Sequence, residues 1–154
     1  MDTTCHSSSR GFSLIELLIV VAVIGLIAAI AVPNLVNAIQ RARQSRTVAD
    51  ASAIGKGVSM YQQDWTEYPI AAKDTDAETL RPSLVRYMTN FNPLDGWRRP
   101  FLYTSTDGYH YTLISYALDG AASEPYSSGP TQFFDEDIVL TDGLFLQYPE
   151  GVQQ

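Results

Sequence analysis

Between positions 12 and 32 only Ser13, Glu16 and Gly25 interrupt the apolar side chains, which fill 18 of the 21 places. At 1.5 Å per residue a helix of that length spans about 32 Å, the thickness of a bilayer core. Such a segment must sit in lipid or be covered by other apolar surface. The chain average conceals it, since a mean hydropathy of -0.06 is that of an ordinary soluble domain. The 154 residues leave room for one globular unit after the run. A net charge of -7 argues against a nucleic-acid partner, because phosphate binding rests on Lys and Arg. Cys5 is the only cysteine, so no disulfide forms within the chain.

Glu16 is the anomaly in the run. A carboxylate inside an apolar membrane helix costs about 2.5–3.5 kcal/mol at its centre, and such residues usually have a partner or a role. A secretory signal peptide is one reading, with Arg10 as the basic flank and Ala29-Ile30-Ala31 as the cleavage site. It leaves Glu16 unexplained and needs a longer apolar stretch than usual. The segment Arg10-Gly11-Phe12-Ser13-Leu14-Ile15-Glu16 instead resembles the processing site of the type IV pilin and type II secretion pseudopilin family. The resemblance implies that a prepilin peptidase cuts between Gly11 and Phe12 and methylates the new N-terminus, leaving 143 residues. It also implies that Glu16 meets the Phe12 ammonium of a neighbouring subunit. Two charges that are each costly in lipid compensate when paired. A simpler role for Glu16 is to oppose the helix macrodipole. Gly25 and Pro33 match family positions where the helix loosens on assembly. Helix packing at Gly25 and a kink at Pro33 are the plainer readings.

Beyond Pro33 apolar residues return at helical spacing, first Leu35, Ile39 and Ala42, then Ala51, Ile54, Val58, Tyr61 and Trp65. The pattern predicts one helix from about Phe12 to Trp65, amphipathic in its second half. At roughly 80 Å it is too long for a head of this size to cover, so its first half must project. Arg41, Arg43 and Arg46 form a basic cluster, whereas the residues after Thr47 carry 15 acids and 6 bases. Pairing between the cluster and an acidic head is one reading, and a solvated face is the other. Pro69 ends the helix after Tyr61-Gln62-Gln63-Asp64-Trp65-Thr66-Glu67-Tyr68, similar to the Tyr-Pro signature of major pseudopilins. Residues 71–78 read as a polar connection, and 80–87 as a short helix or turns.

The stretch from Pro93 to Phe101, with Asp95, Gly96 and Trp97, resembles the turn that leads into the pseudopilin sheet. Here Arg98 stands where that family commonly has glycine. Asp107-Gly108 and Asp142-Gly143 each lie between runs of strand formers, at 101–105 and 109–116 and at 138–140 and 144–146, and predict two hairpins. The expected fold is α+β: a long N-terminal helix on a three- or four-stranded antiparallel sheet covering Ile54, Val58, Tyr61 and Trp65. The expected divisions are a leader at 1–11, a membrane and polymerisation helix at 12–32, an amphipathic helix at 33–68 and a head at 69–154.

Asp119-Gly120 and Asp135-Glu136-Asp137 bracket a Gly/Ser-containing loop between the hairpins. Calcium takes six to eight oxygens, which clustered carboxylates and loop carbonyls supply, although EF-hand spacing is absent. The arrangement resembles the calcium loop of major pseudopilins. This implies one Ca²⁺ held by Asp119, Asp137 and Asp135, with the Tyr116 carbonyl. An acidic, solvated loop is the alternative. Catalysis has little support: His110 is the only histidine after the leader, placed in a strand, and no phosphate-binding or nucleophile motif is present.

Taken together, the resemblance implies a single-pass inner-membrane protein, not an enzyme, that polymerises with itself into a periplasmic pseudopilus for type II secretion. Its implied partners are the prepilin peptidase, the inner-membrane assembly platform and minor pseudopilins, with no nucleic acid unless the pilus reading, which includes DNA uptake, holds. A type IV pilus subunit, a membrane-anchored binding domain that never polymerises, and an exported domain cut after Ala31 are the other readings.

Overall fold

A computed structural model of the chain describes residues 11–150. Residues 1–10 of the expected leader, Cys5 and Arg10 among them, lie outside the described residues. Helix α1 runs Leu14–Trp65 without interruption, passing through Pro33. The Asn34 side chain donates to the Ile30 carbonyl, 3.1 Å away, within that turn. At the other end Thr66 adopts φ 66°, the left-handed conformation that closes many helices, and its N–H bonds the Gln62 carbonyl at 2.8 Å. The chain forms two compact units, Met1–Val36 and Asn37–Gln154. In the first, every described side chain is exposed. The second contains the core.

That core begins with Ala51, Ile54 and Val58, which follow one another at helical spacing and are fully buried. Against them lies a row of side chains set by strand register. Tyr103 pairs with Leu113, Leu113 with Leu140, and Leu140 with Phe145, so the four share one sheet face. Gly55 lets α1 approach this row, because a β-carbon there would collide with Leu140. Ala77, Leu80 and Leu84 close the core from a 3₁₀ turn, Ala77–Leu80, and the short helix α2, Arg81–Leu84.

The α+β class stands, but the sheet has six strands and is mixed. They are β1 (Ala71–Asp76), β2 (Leu102–Ser105), β3 (Thr112–Ser115), β4 (Gly129–Thr131), β5 (Ile138–Thr141) and β6 (Leu144–Pro149), in the order β1-β2-β3-β5-β6-β4. All neighbours are antiparallel except β4 and β6, which are parallel. The two additional strands are the edges, and neither shows apolar alternation. β1 reads Ala-Ala-Lys-Asp-Thr-Asp and pairs through its backbone, with an irregularity where Asp74 takes φ 53° and donates to Thr104 Oγ1. β4 reads Gly-Pro-Thr, a composition confined to sheet margins.

Other expectations shift for local reasons. Asp142 and Gly143 have φ 50° and 82°, so the second hairpin has the tight turn its sequence predicts. The first hairpin is looser. β3 begins at Thr112 because the Asp107 carboxylate accepts the Tyr109 and His110 N–H groups, holding 106–111 as a loop. His110 is therefore a loop residue and not a strand residue. Trp65 is 60% exposed instead of covered by the sheet, and stacks on Tyr61 with ring centroids 5.8 Å apart.

Candidate assembly segment and metal site

The segment expected to direct processing and assembly starts at Gly11 and Phe12, both exposed, with Phe12 at 72%. Glu16 turns back on the start of its own helix. Its Oε2 accepts the Ser13 N–H at 2.9 Å, while Ser13 Oγ accepts the Ile15 N–H at 3.3 Å. Ser-x-x-Glu at a helix start is a capping-box pattern, and it satisfies N–H groups that have no partner inside the helix. Ser13 was thus a missed residue whose signal was present in the sequence. The space beside Gly25 is open, with nothing beyond its chain neighbours and the helix's own local backbone within 4 Å of where a β-carbon would stand. Residues Leu14–Trp65 contain a window with mean hydropathy 3.0 and 0% burial, long and apolar enough to cross a membrane.

In the second unit a turn after Asn92 docks on α1. Asp95 is 2% exposed, and its Oδ1 accepts the Trp97 and Arg99 N–H groups, each at 2.9 Å, while Oδ2 accepts from Ser115 Oγ at 2.8 Å. The carboxylate therefore organises the turn and ties it to β3. Gly96 presses on the helix, donating its N–H to Thr47 Oγ1 at 2.8 Å. A β-carbon at Gly96 would collide with the Arg43 carbonyl. Arg98 adopts φ 67°, which explains why glycine suits that place.

The candidate calcium residues are gathered only in part. Asp137 is fully buried, with Oδ2 accepting the Ser123 N–H at 2.9 Å and Oδ1 without a hydrogen-bond partner. Burial pushes its carboxyl up to about 6, offset by the Ser123 N–H, and the negative charge of Asp119 adds to the rise. Asp119 is exposed and accepts the Ala121 N–H at 3.0 Å. The Tyr116 carbonyl accepts the Gly120 N–H at 2.8 Å and lies 3.5 Å from Arg99 Nη1, whose stronger bond is to the Ala117 carbonyl at 2.7 Å. Asp135 is exposed, and Glu136 closes its own loop by accepting the Gln132 and Phe133 N–H groups. No group of three or more His, Cys, Asp or Glu side chains able to hold a metal occurs among the described residues. Sequence reasoning missed Gln147. It is 3% exposed and spans the loop, donating to the Asp137 carbonyl and accepting from Ser127.

His110 Nδ1 lies 2.8 Å from Asp142 Oδ2, on the surface. Asp142 beside it raises the imidazole above its ordinary 6.5. Asp142 Oδ1 also accepts the Tyr111 N–H at 2.9 Å, so the pair joins the two hairpin turns.

A membrane-length helix with a capped glutamate near its start, continuing into a helix-on-sheet head, defines a subunit of the pilin-like class. Residues 6–32 match the prokaryotic N-terminal methylation motif. Residues 34–128 match the family described as type II secretion system protein G, and the chain belongs to that family. Similar proteins include type II secretion system core protein G of Escherichia coli K12, 30% identical over 121 residues, covering 72% of this chain and 83% of the relative. Core protein G of Klebsiella michiganensis is 32% identical over 124 residues, covering 80% and 85%. Core protein G of Dickeya chrysanthemi is 30% identical over 128 residues, covering 83% and 82%. No solved structure matches the chain with statistical significance. The family match ends at residue 128, so Asp135 and Asp137 lie beyond it.

Proposed function

We propose that this chain is the main structural subunit of a type II secretion pseudopilus, held in the inner membrane and assembled into a periplasmic filament that drives protein export. The carrying observation is the joining of an N-terminal methylation motif at 6–32 to a protein G head at 34–128. The head match favours secretion over a type IV pilus. The family is structural and not enzymatic.

In the proposed cycle a prepilin peptidase cleaves between Gly11 and Phe12 and methylates Phe12. The apolar helix stores the subunit in lipid. On polymerisation, Glu16 exchanges its contact at Ser13 for the Phe12 ammonium of a neighbour, and Gly25 and Pro33 give the helix freedom to adjust. The inner-membrane assembly platform and minor pseudopilins are the further partners. The decisive experiment substitutes Glu16→Ala in the intact secretion system. The variant should insert in the membrane and fail to form filaments, and normal filaments would sink the mechanism. N-terminal sequencing checks processing: methylated Phe12 is expected, and Val32 would indicate ordinary secretion.

A Ca²⁺ ion completes the proposal, held by Asp119 and Asp137 with the Tyr116 carbonyl, and by Asp135 as a further ligand. The buried Asp137 Oδ1, which meets no donor in good hydrogen-bond geometry although the Tyr126 hydroxyl lies beside the carboxylate, and the nearby Asp119 charge support it. A cation there would neutralise a carboxylate that burial disfavours and fasten the loop that a disulfide-free head leaves open. Unchanged thermal stability in chelator, together with full calcium binding by Asp119→Ala, would remove the ion from the reading.

A further inference from the structure

The docked turn and the middle of α1 enclose an open cleft of about 600 Å³. Its walls are unusual for so acidic a chain. Arg43, Arg46 and Arg98 line it together with Trp97 and the apolar Ile39 and Leu94. Asp95 is the only acid in the lining, and its oxygens are taken up by the turn's own N–H groups and by Ser115 of β3. Arg46 has a half-buried partner in Asp50 at 3.4 Å, a carboxylate that also accepts from Asn92 Nδ2 at 2.8 Å. Neither Arg43 nor Arg98 forms an ion pair among the described residues. The indole is fixed, since Trp97 Nε1 donates to Gln40 Oε1 at 2.8 Å. Arg98 holds its place at φ 67°, a conformation that costs a side-chain-bearing residue stability and so calls for a return.

A guanidinium group presents a fork of donors that favours phosphate, and a fixed aromatic wall favours a ligand with an apolar body. Ile39 begins this cleft seven positions after the apolar run ends at Val32, and Leu35, Val36 and Ile39 are 61%, 47% and 44% exposed. Indole rings are enriched at the membrane–water interface, and arginines beside a membrane segment recognise anionic lipid head groups. We propose that Arg43, Arg46 and Arg98 bind the phosphate of an anionic phospholipid in the leaflet that the head faces, with the Trp97 indole packed against the lipid's apolar part. The inference rests on the membrane-stored state proposed above and adds a lipid ligand to it. Bound lipid would occupy the cleft during storage and leave it when the subunit enters the filament.

Native mass spectrometry of the full chain in neutral detergent, titrated with phosphatidylglycerol or phosphatidylcholine, tests this. One phosphatidylglycerol should bind per chain in preference to phosphatidylcholine. Arg43→Gln and Arg98→Gln should each lower that preference about fivefold, the effect of about one interfacial charge. Arg98→Lys should retain most of it, and the exposed Arg86→Gln should leave it unchanged. Equal binding of the two lipids, or a double Arg43→Gln/Arg98→Gln variant with intact preference, overturns the proposal. So does displacement of the lipid by an equal concentration of inorganic phosphate, which would make the site one for free anions. Arginine-dependent pairing of two chains without lipid also overturns it, by assigning the cleft to another copy's carboxylates. Extraction of the wild-type chain from cell membranes by alkali is read separately, since that result would overturn the membrane-stored state itself.

Discussion

Gly96 donates its backbone N–H to the Thr47 hydroxyl at 2.8 Å, fastening the turn of residues 95–99 to a fully buried threonine of α1. Thr47 passes the contact on by donating to the Arg43 carbonyl at 2.9 Å. Gly96→Ala would force a methyl group into that carbonyl. The substitution should destabilise the head by about 1–3 kcal/mol, the usual cost of overpacking. Thr47→Val keeps the shape and removes the acceptor, costing about 1–3 kcal/mol for a donor left without a partner. Urea denaturation followed by tyrosine and tryptophan fluorescence reads both.

Arg98 should show the opposite sign. Its φ of 67° suits glycine. Arg98→Gly should raise stability by about 0.5–1 kcal/mol, the strain relieved less the entropy glycine adds to the unfolded chain. The same variant should lower the phosphatidylglycerol preference about fivefold, as Arg98→Gln does. A melting temperature that falls would show that the arginine contributes more to the fold than its backbone costs.

His110 gives a pH dependence. Its folded value is raised by Asp142, so the pair's contribution is fully present below the ordinary 6.5 and disappears as pH climbs through the raised value. Asp142→Asn should return the imidazole toward 6.5. His110 is the one histidine after the leader, so its proton resonances can be followed in the processed protein by NMR titration without ambiguity.

Asp137 behaves in the reverse sense. In the metal-free head its carboxyl is raised from 3.8 to about 6, so folding favours the protonated form. The group's penalty is present above about pH 6 and is relieved as pH falls toward 3.8. A proton and a calcium ion compete for the same oxygens, so calcium affinity measured by calorimetry should drop as pH falls through about 6. Asp137→Asn should stabilise the metal-free head near neutrality and abolish the calcium response.

What could be read from residues alone follows from how each element is held. Helix α1 declares itself through an uninterrupted apolar run and then a buried stripe at Ala51, Ile54 and Val58. The tight turn at Asp142-Gly143 is encoded by two residues that tolerate positive φ. β1 and β4 were hidden because edge strands need only backbone partners, and Lys73, Asp74 and Pro130 carry no burial signal. The proposed metal site is legible only as composition. Which of Asp119, Asp135 and Asp137 is buried depends on Gln147 and Ser123, distant in sequence, holding the loop over Asp137. The capping of α1 by Ser13 and Glu16 is legible in the Ser-x-x-Glu spacing at the start of the apolar run.

The sheet's two margins have a consequence for crowding. A filament precursor accumulates at high local concentration, where any open strand invites addition of another sheet. At one margin β1 presents Lys73 and Asp74 at a break in its pairing, and at the other β4 presents a proline. Both are poor templates for strand addition. The heads can therefore be pressed together without fusing into cross-β aggregates, and in the proposed filament longitudinal order is left to the apolar helix.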